Sequence, residues 1–343
     1  MKKYKKLMAV LLGGILAFSL TACNKESTNN DNSLSKDNNE VISDKDTKGE
    51  KNQGGNGRGG SVVDKSNDEE LQSILSEVVS KYQQLEFKDE ETGKTLAYNL
   101  YVPENYDESK SYPLVLFMPD SSLSGKEGTA SLTQGYGGVI WATSEEQAKH
   151  ESFVLVPQYS EQIVNDNFET TDEVDMTVRL LNSIVDSYSI DTNRLYTTGQ
   201  SMGCMTSMYL NLAYPDLFAA SLYVGGQWDT SKMDVLGNTK FFYIVGEGDT
   251  KASVGMKDLE TVFENAGVSF STAIWDAKWS EEELNSATEE ILKEGNNANL
   301  VMFKLGSVLP EGVEVGGNEH MYSFDYAYKI EAVRDWLFQQ VKE

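Results

Sequence analysis

The chain has 343 residues, a hydrophobic fraction of 39%, an aromatic fraction of 10% and a formal charge of −25. Such a length and apolar content suffice for one large domain or two small ones with a sizeable core. The acidity, with no basic patch beyond the first six residues, excludes nucleic acid as a partner and argues against a polyanionic substrate.

The first segment reads as an address. Lys2, Lys3, Lys5 and Lys6 precede a 14-residue apolar run, "LMAVLLGGILAFSL", too short to span a bilayer comfortably and suited to a signal peptide over residues 1–22. It ends in "LTAC", which resembles the lipobox of bacterial lipoproteins, in which the cysteine becomes the acylated first residue. The resemblance implies lipid on Cys23 and a body tethered to the outer face of the cytoplasmic membrane. An uncleaved anchor, the other reading, leaves the body on the same side. With Cys23 acylated, the other cysteine, Cys204, has no disulfide partner and is expected to pack as a small buried residue.

Residues 23–68 follow as a tether. Asn, Asp, Ser, Lys, Glu, Thr and Gly dominate it, and such a segment buries too little apolar surface to fold. The folded body is expected over residues 69–343 as one domain. "EELQSILSEVVSKYQQ" has helical periodicity, with Leu71, Ile74, Leu75 and Val78 or Val79 on one side. Seven strand candidates follow: "TLAYNLYVP", "YPLVLFMP", "SFVLVPQY", "RLYTTGQS", "FAASLYVGG", "KFFYIVGEGD" and "ANLVMFKLG". The middle ones are short, nearly continuous apolar runs, as expected of strands buried on both faces of a parallel sheet. Helical segments fall between them, and the last, "AYKIEAVRDWLFQQVK", reads as one terminal helix. Strands alternating with helices predict an α/β architecture with helices on both faces.

The chemistry gathers at Gly199-Gln200-Ser201-Met202-Gly203, between a strand and a helix. A strand running straight into a helix must turn sharply, and glycines on either side of the turn residue let the two elements approach without Cβ clashes. Ser201 is then held at the carboxyl end of the sheet as the nucleophile elbow of α/β-hydrolases, G-x-S-x-G. A serine needs a base to take its proton. In this fold the acid and then the histidine follow the serine along the chain. Of the two histidines only His320 follows Ser201; His150, in "EEQAKHESF", reads as a surface residue or helix-terminal cation. Asp249, after the strand "KFFYIVG", is the expected third member, with Glu247 in reserve.

From about Tyr98 to Gln340 the chain resembles secreted bacterial α/β-hydrolases of the predicted-peptidase and polyhydroxybutyrate-depolymerase-like esterase group. "YPLVLFMPDSS", "FVLVPQ", "IDTNRLYTTGQSMGCM", "YPDLFAASLYVGG", "GEGDTKA" and "EHMYSFDYAYKIEAVRDWLFQQ" carry the likeness. It implies a serine hydrolase with Ser201, Asp249 and His320 as its triad, in a group that includes feruloyl and acetyl esterases and chains labelled peptidase. Relatives usually carry His-Gly where this chain has Pro119-Asp120. Pro119 has no N–H to donate, so the oxyanion hole is expected to use Met202 with Ser121 as second donor, and the Asp120 carboxylate to point away or cap a turn. Strand-end residues supply pocket candidates: Gln158 with Tyr159, Gln200, Gln227 and Trp228, with Trp141, Trp275 and Trp279 further afield. Two separated histidines and no cysteine cluster predict no zinc site, and no cofactor is implied. An esterase acting on a small or glycan-linked ester is the leading expectation. A peptidase of the same fold, or a glycan-binding lipoprotein without activity, stays open, and the sequence leaves the oligomeric state undetermined.

Overall fold

In the computed structural model the alternation of apolar runs and amphipathic segments resolves into one nine-stranded sheet with helices on both faces. The structure describes residues 63–313, 315 and 319–342. The expected signal segment, Cys23 and the tether up to residue 62 lie outside them.

Helix α1 (Glu69–Val78) opens this part of the chain, with Asp68 as its N-cap accepting the Leu71 N–H at 3.0 Å. The hairpin β1 (Gln83–Lys88) and β2 (Thr95–Tyr101) follows, then β3 (Tyr112–Met118). Helices α2 (Ala130–Thr133) and α3 (Ser144–Lys149) precede β4 (Phe153–Gln158). Next come α4 (Asp172–Ser187), β5 (Ile190–Gln200), α5 (Met202–Ala213) and β6 (Ala220–Val224). The remainder is β7 (Phe241–Gly246), α6 (Ala252–Ala266), β8 (Phe270–Trp275), α7 (Glu281–Leu292), β9 (Ala298–Phe303), α8 (Glu319–Lys329) and α9 (Glu331–Gln339).

The sheet order is β1-β2-β4-β3-β5-β6-β7-β9-β8; only the β1–β2 and β2–β4 pairs are antiparallel. Strands β3, β4, β6, β7 and β9 are buried along their whole length, which is why their sequences read as unbroken apolar runs. The core has two layers. Helices α1, α7, α8 and α9 cover one face of the sheet, and α4, α5 and α6 the other.

Four sequence expectations change. The tether does not run to residue 68: Val63 packs against the core, Lys65 pairs with Asp325 at 2.6 Å and Asp68 caps α1, so residues 63–68 belong to the folded body. Strands β1 and β8 are additional; both are edge strands with one ladder each and mixed exposure, so neither shows an apolar run. The helical periodicity extends through Gln84, but α1 ends at Val78, one 3-10 turn carries the chain to Lys81, and Gln83 and Gln84 begin β1. The terminal segment is two helices, broken at Ile330, which is extended at φ −72° and ψ 102°. His320 therefore lies in the first turn of α8, the helix just ahead of the last one.

Candidate active site

The elbow is built by two glycines in contact with each other. A Cβ on Gly199 would lie 2.4 Å from the carbonyl carbon of Gly203, and one on Gly203 would lie 1.9 Å from the Met118 carbonyl oxygen. Strand β5, helix α5 and the end of β3 thus cross at a distance that excludes any side chain. Between the glycines Ser201 is forced to φ 52° and ψ −112°, a strained conformation for a residue with a Cβ, and its N–H donates to Val224 O at 2.9 Å. The Oγ projects into a cleft of about 470 Å³ at the carboxyl ends of β3, β5, β6 and β7.

The structure brings His320 and Asp249 to it. Ser201 Oγ–H donates to His320 Nε2 at 2.9 Å, and His320 Nδ1–H donates to Asp249 Oδ2 at 2.5 Å, a tautomer assigned from the Asp249 acceptor. The other Asp249 oxygen accepts the N–H groups of Lys251 and Ala252, each at 3.1 Å, so three donors hold a carboxylate only 4% exposed. Glu319 fixes the helix that carries the histidine. Fully buried, it accepts Gly248 N–H on one oxygen and Gly306 N–H on the other, both at 2.9 Å, tying α8 to the Asp249 loop and to the loop after β9. Glu247 turns elsewhere and accepts Leu305 N–H at 2.8 Å. His150 caps α3, stacks on Phe338 at 4.4 Å and bonds Asp335 at 2.7 Å, away from the cleft.

Ser121 and Met202 both line the cleft, each as the first residue of a helical turn, where the N–H has no acceptor within the turn. Neither N–H is used within its own turn. Ser122 is not available, since its N–H goes to Asp120 Oδ1 at 2.8 Å. Cys204 lies buried behind the elbow, and burial pushes its thiol well above the ordinary value, keeping it protonated and inert.

The pocket expectations divide. Gln227 lines the cleft. Gln158 does not: it is 4% exposed, accepts Ser131 N–H and donates to Leu123 O, so its amide serves the loops beneath. Gln200 likewise points into the protein, toward Asp120 and Gln134. Trp228 is 5% exposed and packs against Phe168 and Tyr209, behind the cleft wall. Trp141, Trp275 and Tyr159 are core, and the partly exposed Trp279 borders other surface grooves. Strand-end position alone misassigned Gln158 and Gln200, because a side chain at a strand end can face either layer of the core. The wall that sequence reasoning missed is the loop between β4 and α4. It brings Gln162, Asn165 and Asp166 to the rim, where Asp166 pairs with Lys251 at 2.8 Å and accepts Gln227 Nε2 at 3.4 Å. No motif marks that loop.

The Esterase family model matches residues 90–306. No curated protein sequence matches the chain. Among solved structures, a thermostable esterase superposes with a TM-score of 0.62 at 23% identity, over 77% of this chain and 64% of that one, so the chain spans less than two thirds of that esterase. A ferulic acid esterase from Anaeromyces mucronatus, solved with ferulic acid, gives 0.45 at 13% identity over 74% of this chain and 91% of its own. The matched span runs from the β1–β2 turn through β9 and contains both Ser201 and Asp249, and by that match the chain belongs to the Esterase family, with an α/β-hydrolase fold.

Proposed function

We propose that the protein is a carboxylic-ester hydrolase that works through Ser201, His320 and Asp249. The observation that carries this is the continuous relay from Ser201 Oγ to His320 Nε2 and from His320 Nδ1 to Asp249. His320 Nε2 accepts the serine proton as Oγ attacks the ester carbonyl carbon, and Asp249 stabilises the imidazolium. The carbonyl oxygen gains negative charge and accepts the N–H groups of Met202 and Ser121. The tetrahedral adduct collapses as Nε2–H protonates the leaving alcohol, leaving an acyl-Ser201 ester. Water, deprotonated by the same nitrogen, then releases the acid and restores the serine.

The cleft suits a small or glycan-linked ester. Its rim carries the neutral amides Gln162, Asn167 and Gln227, able to bond hydroxyl groups, while Met202, Met205 and Met321 supply the apolar contact. A lipid on Cys23 would hold this domain at the outer face of the cytoplasmic membrane. The direct test is labelling by a fluorophosphonate, with the adduct located by peptide mass spectrometry. Modification of Ser201, lost in Ser201→Ala, is expected; an unlabelled, folded parent protein would refute the reading. Cys23→Ala should release the protein from membranes.

A further inference from the structure

Asp120 is a carboxylate only 2% exposed, in the loop that carries one of the proposed oxyanion donors, where a negative charge opposes the reaction. Both of its oxygens are engaged. Oδ1 accepts Ser122 N–H at 2.8 Å and closes the turn Ser121–Leu123. Oδ2 accepts Gln200 Nε2 at 3.1 Å and also bonds Gln134 Nε2. The two amides are linked in turn: Gln200 Nε2 donates to Gln134 Oε1 at 2.9 Å, and Gln134 Nε2 to Ser122 Oγ at 3.1 Å. Gln200 Oε1, by contrast, is buried with no hydrogen-bond partner. The Gln200 amide is thus oriented for its donors at the expense of its acceptor, as expected where those donors satisfy a buried charge.

We infer that Asp120 is a positioning residue for the oxyanion site. It draws the Ser122 N–H out of the cleft and sets the turn so that the Ser121 N–H faces the reacting oxygen. Through Gln200, the residue directly before Ser201, it locks that turn to the strand delivering the nucleophile. Gln134 and Gln200 share its charge, which lets a carboxylate occupy this place. The inference rests on the esterase reading above.

The test compares the parent enzyme with Asp120→Ala, Asp120→Asn and Gln134→Ala. It reads kcat and KM on 4-nitrophenyl acetate and the affinity of an alkyl boronate, which forms a tetrahedral adduct on a serine hydroxyl. Asp120→Ala is expected to lose about 10²-fold in kcat, the size of a lost oxyanion donor, with KM changed by less than about threefold and boronate affinity falling in parallel. Asp120→Asn should recover most of the loss, since its carbonyl can accept Ser122 N–H and the two glutamine amides can turn over to face its NH₂. If Asp120→Ala does not fold, Gln134→Ala carries the test, with an expected loss of about fivefold or more in kcat at constant KM. An Asp120→Ala enzyme with parent kinetics, a loss confined to KM, or a loss of kcat at constant boronate affinity would each overturn the inference. Fluorophosphonate separates the two levels. A parent labelled at Ser201 beside an unaffected Asp120→Ala overturns this inference alone, whereas an unlabelled parent overturns the serine mechanism and this inference with it.

Discussion

Gly203→Ala tests how the elbow places its donors. A Cβ there would lie 1.9 Å from Met118 O, 2.5 Å from Met118 C and 3.0 Å from Pro119 O, whereas ordinary contact begins at 3.4 Å. The obstructing atoms are backbone, and Met118 is pinned in the sheet opposite Gly199, so no side-chain rotation relieves the clash. Helix α5 and the end of β3 must separate by about 1.5 Å to recover contact distance. That movement carries the Met202 N–H away from the Ser121 turn, and a misplacement of about 1 Å can cost about 10²-fold in rate. Overpacking adds a folding cost at the upper end of its usual range, about 3 kcal/mol. Gly267→Ala is the control. Its φ is +70° and nothing lies within 4 Å of the new Cβ, so it should cost about 1 kcal/mol of backbone strain and leave turnover unchanged. Turnover of 4-nitrophenyl acetate and denaturant unfolding followed by circular dichroism read both quantities. A Gly203→Ala enzyme with parent turnover would show that the close crossing of β3 and α5 does not set the donor geometry.

On the proposed mechanism, in which the three residues act as a unit, His320→Ala should reduce ester turnover about as severely as Ser201→Ala, by roughly 10⁴-fold or more. His150→Ala should leave turnover intact while losing about 1–2 kcal/mol in denaturant melts, from its Asp335 bond and its stacking on Phe338; inactivation by His150→Ala alone would refute the assignment. Ser201→Gly should be about 1 kcal/mol more stable than Ser201→Ala, since glycine relaxes at φ 52° and alanine does not; equal stabilities would remove the strain at the elbow. The Arg179 guanidinium, bonded to Asp89 at 2.6 and 2.9 Å, holds that carboxyl well below the usual range, so its contribution to stability is full above the unfolded value near pH ~3.9 and is lost as pH falls through the lower folded value. Arg179→Met should therefore be destabilised at neutral pH, by a margin that narrows below about pH 4; a margin constant with pH would mean that the ion pair is not its source.

What could be read from sequence was what local chemistry dictates. Gly199 and Gly203 around Ser201 required a strand–helix crossing, because only glycine fits where two backbones touch, and the buried strands announced themselves as apolar runs because both faces meet core. Chain order singled out His320 over His150. The edge strands β1 and β8 could not be read, since a strand with one ladder and an open side has no burial pattern to print on its residues. Side-chain direction was equally hidden. Gln158 and Gln200 sit at strand ends and Trp228 in the loop after β6, yet the pleat and the neighbouring loops turn them into the protein, while Asp166 and Lys251, 85 residues apart, meet across the cleft. Asp120 shows the division most clearly. The sequence places a carboxylate in the loop after β3, and only the tertiary structure, by bringing Gln134 and Gln200 to it, supplies the donors that satisfy it.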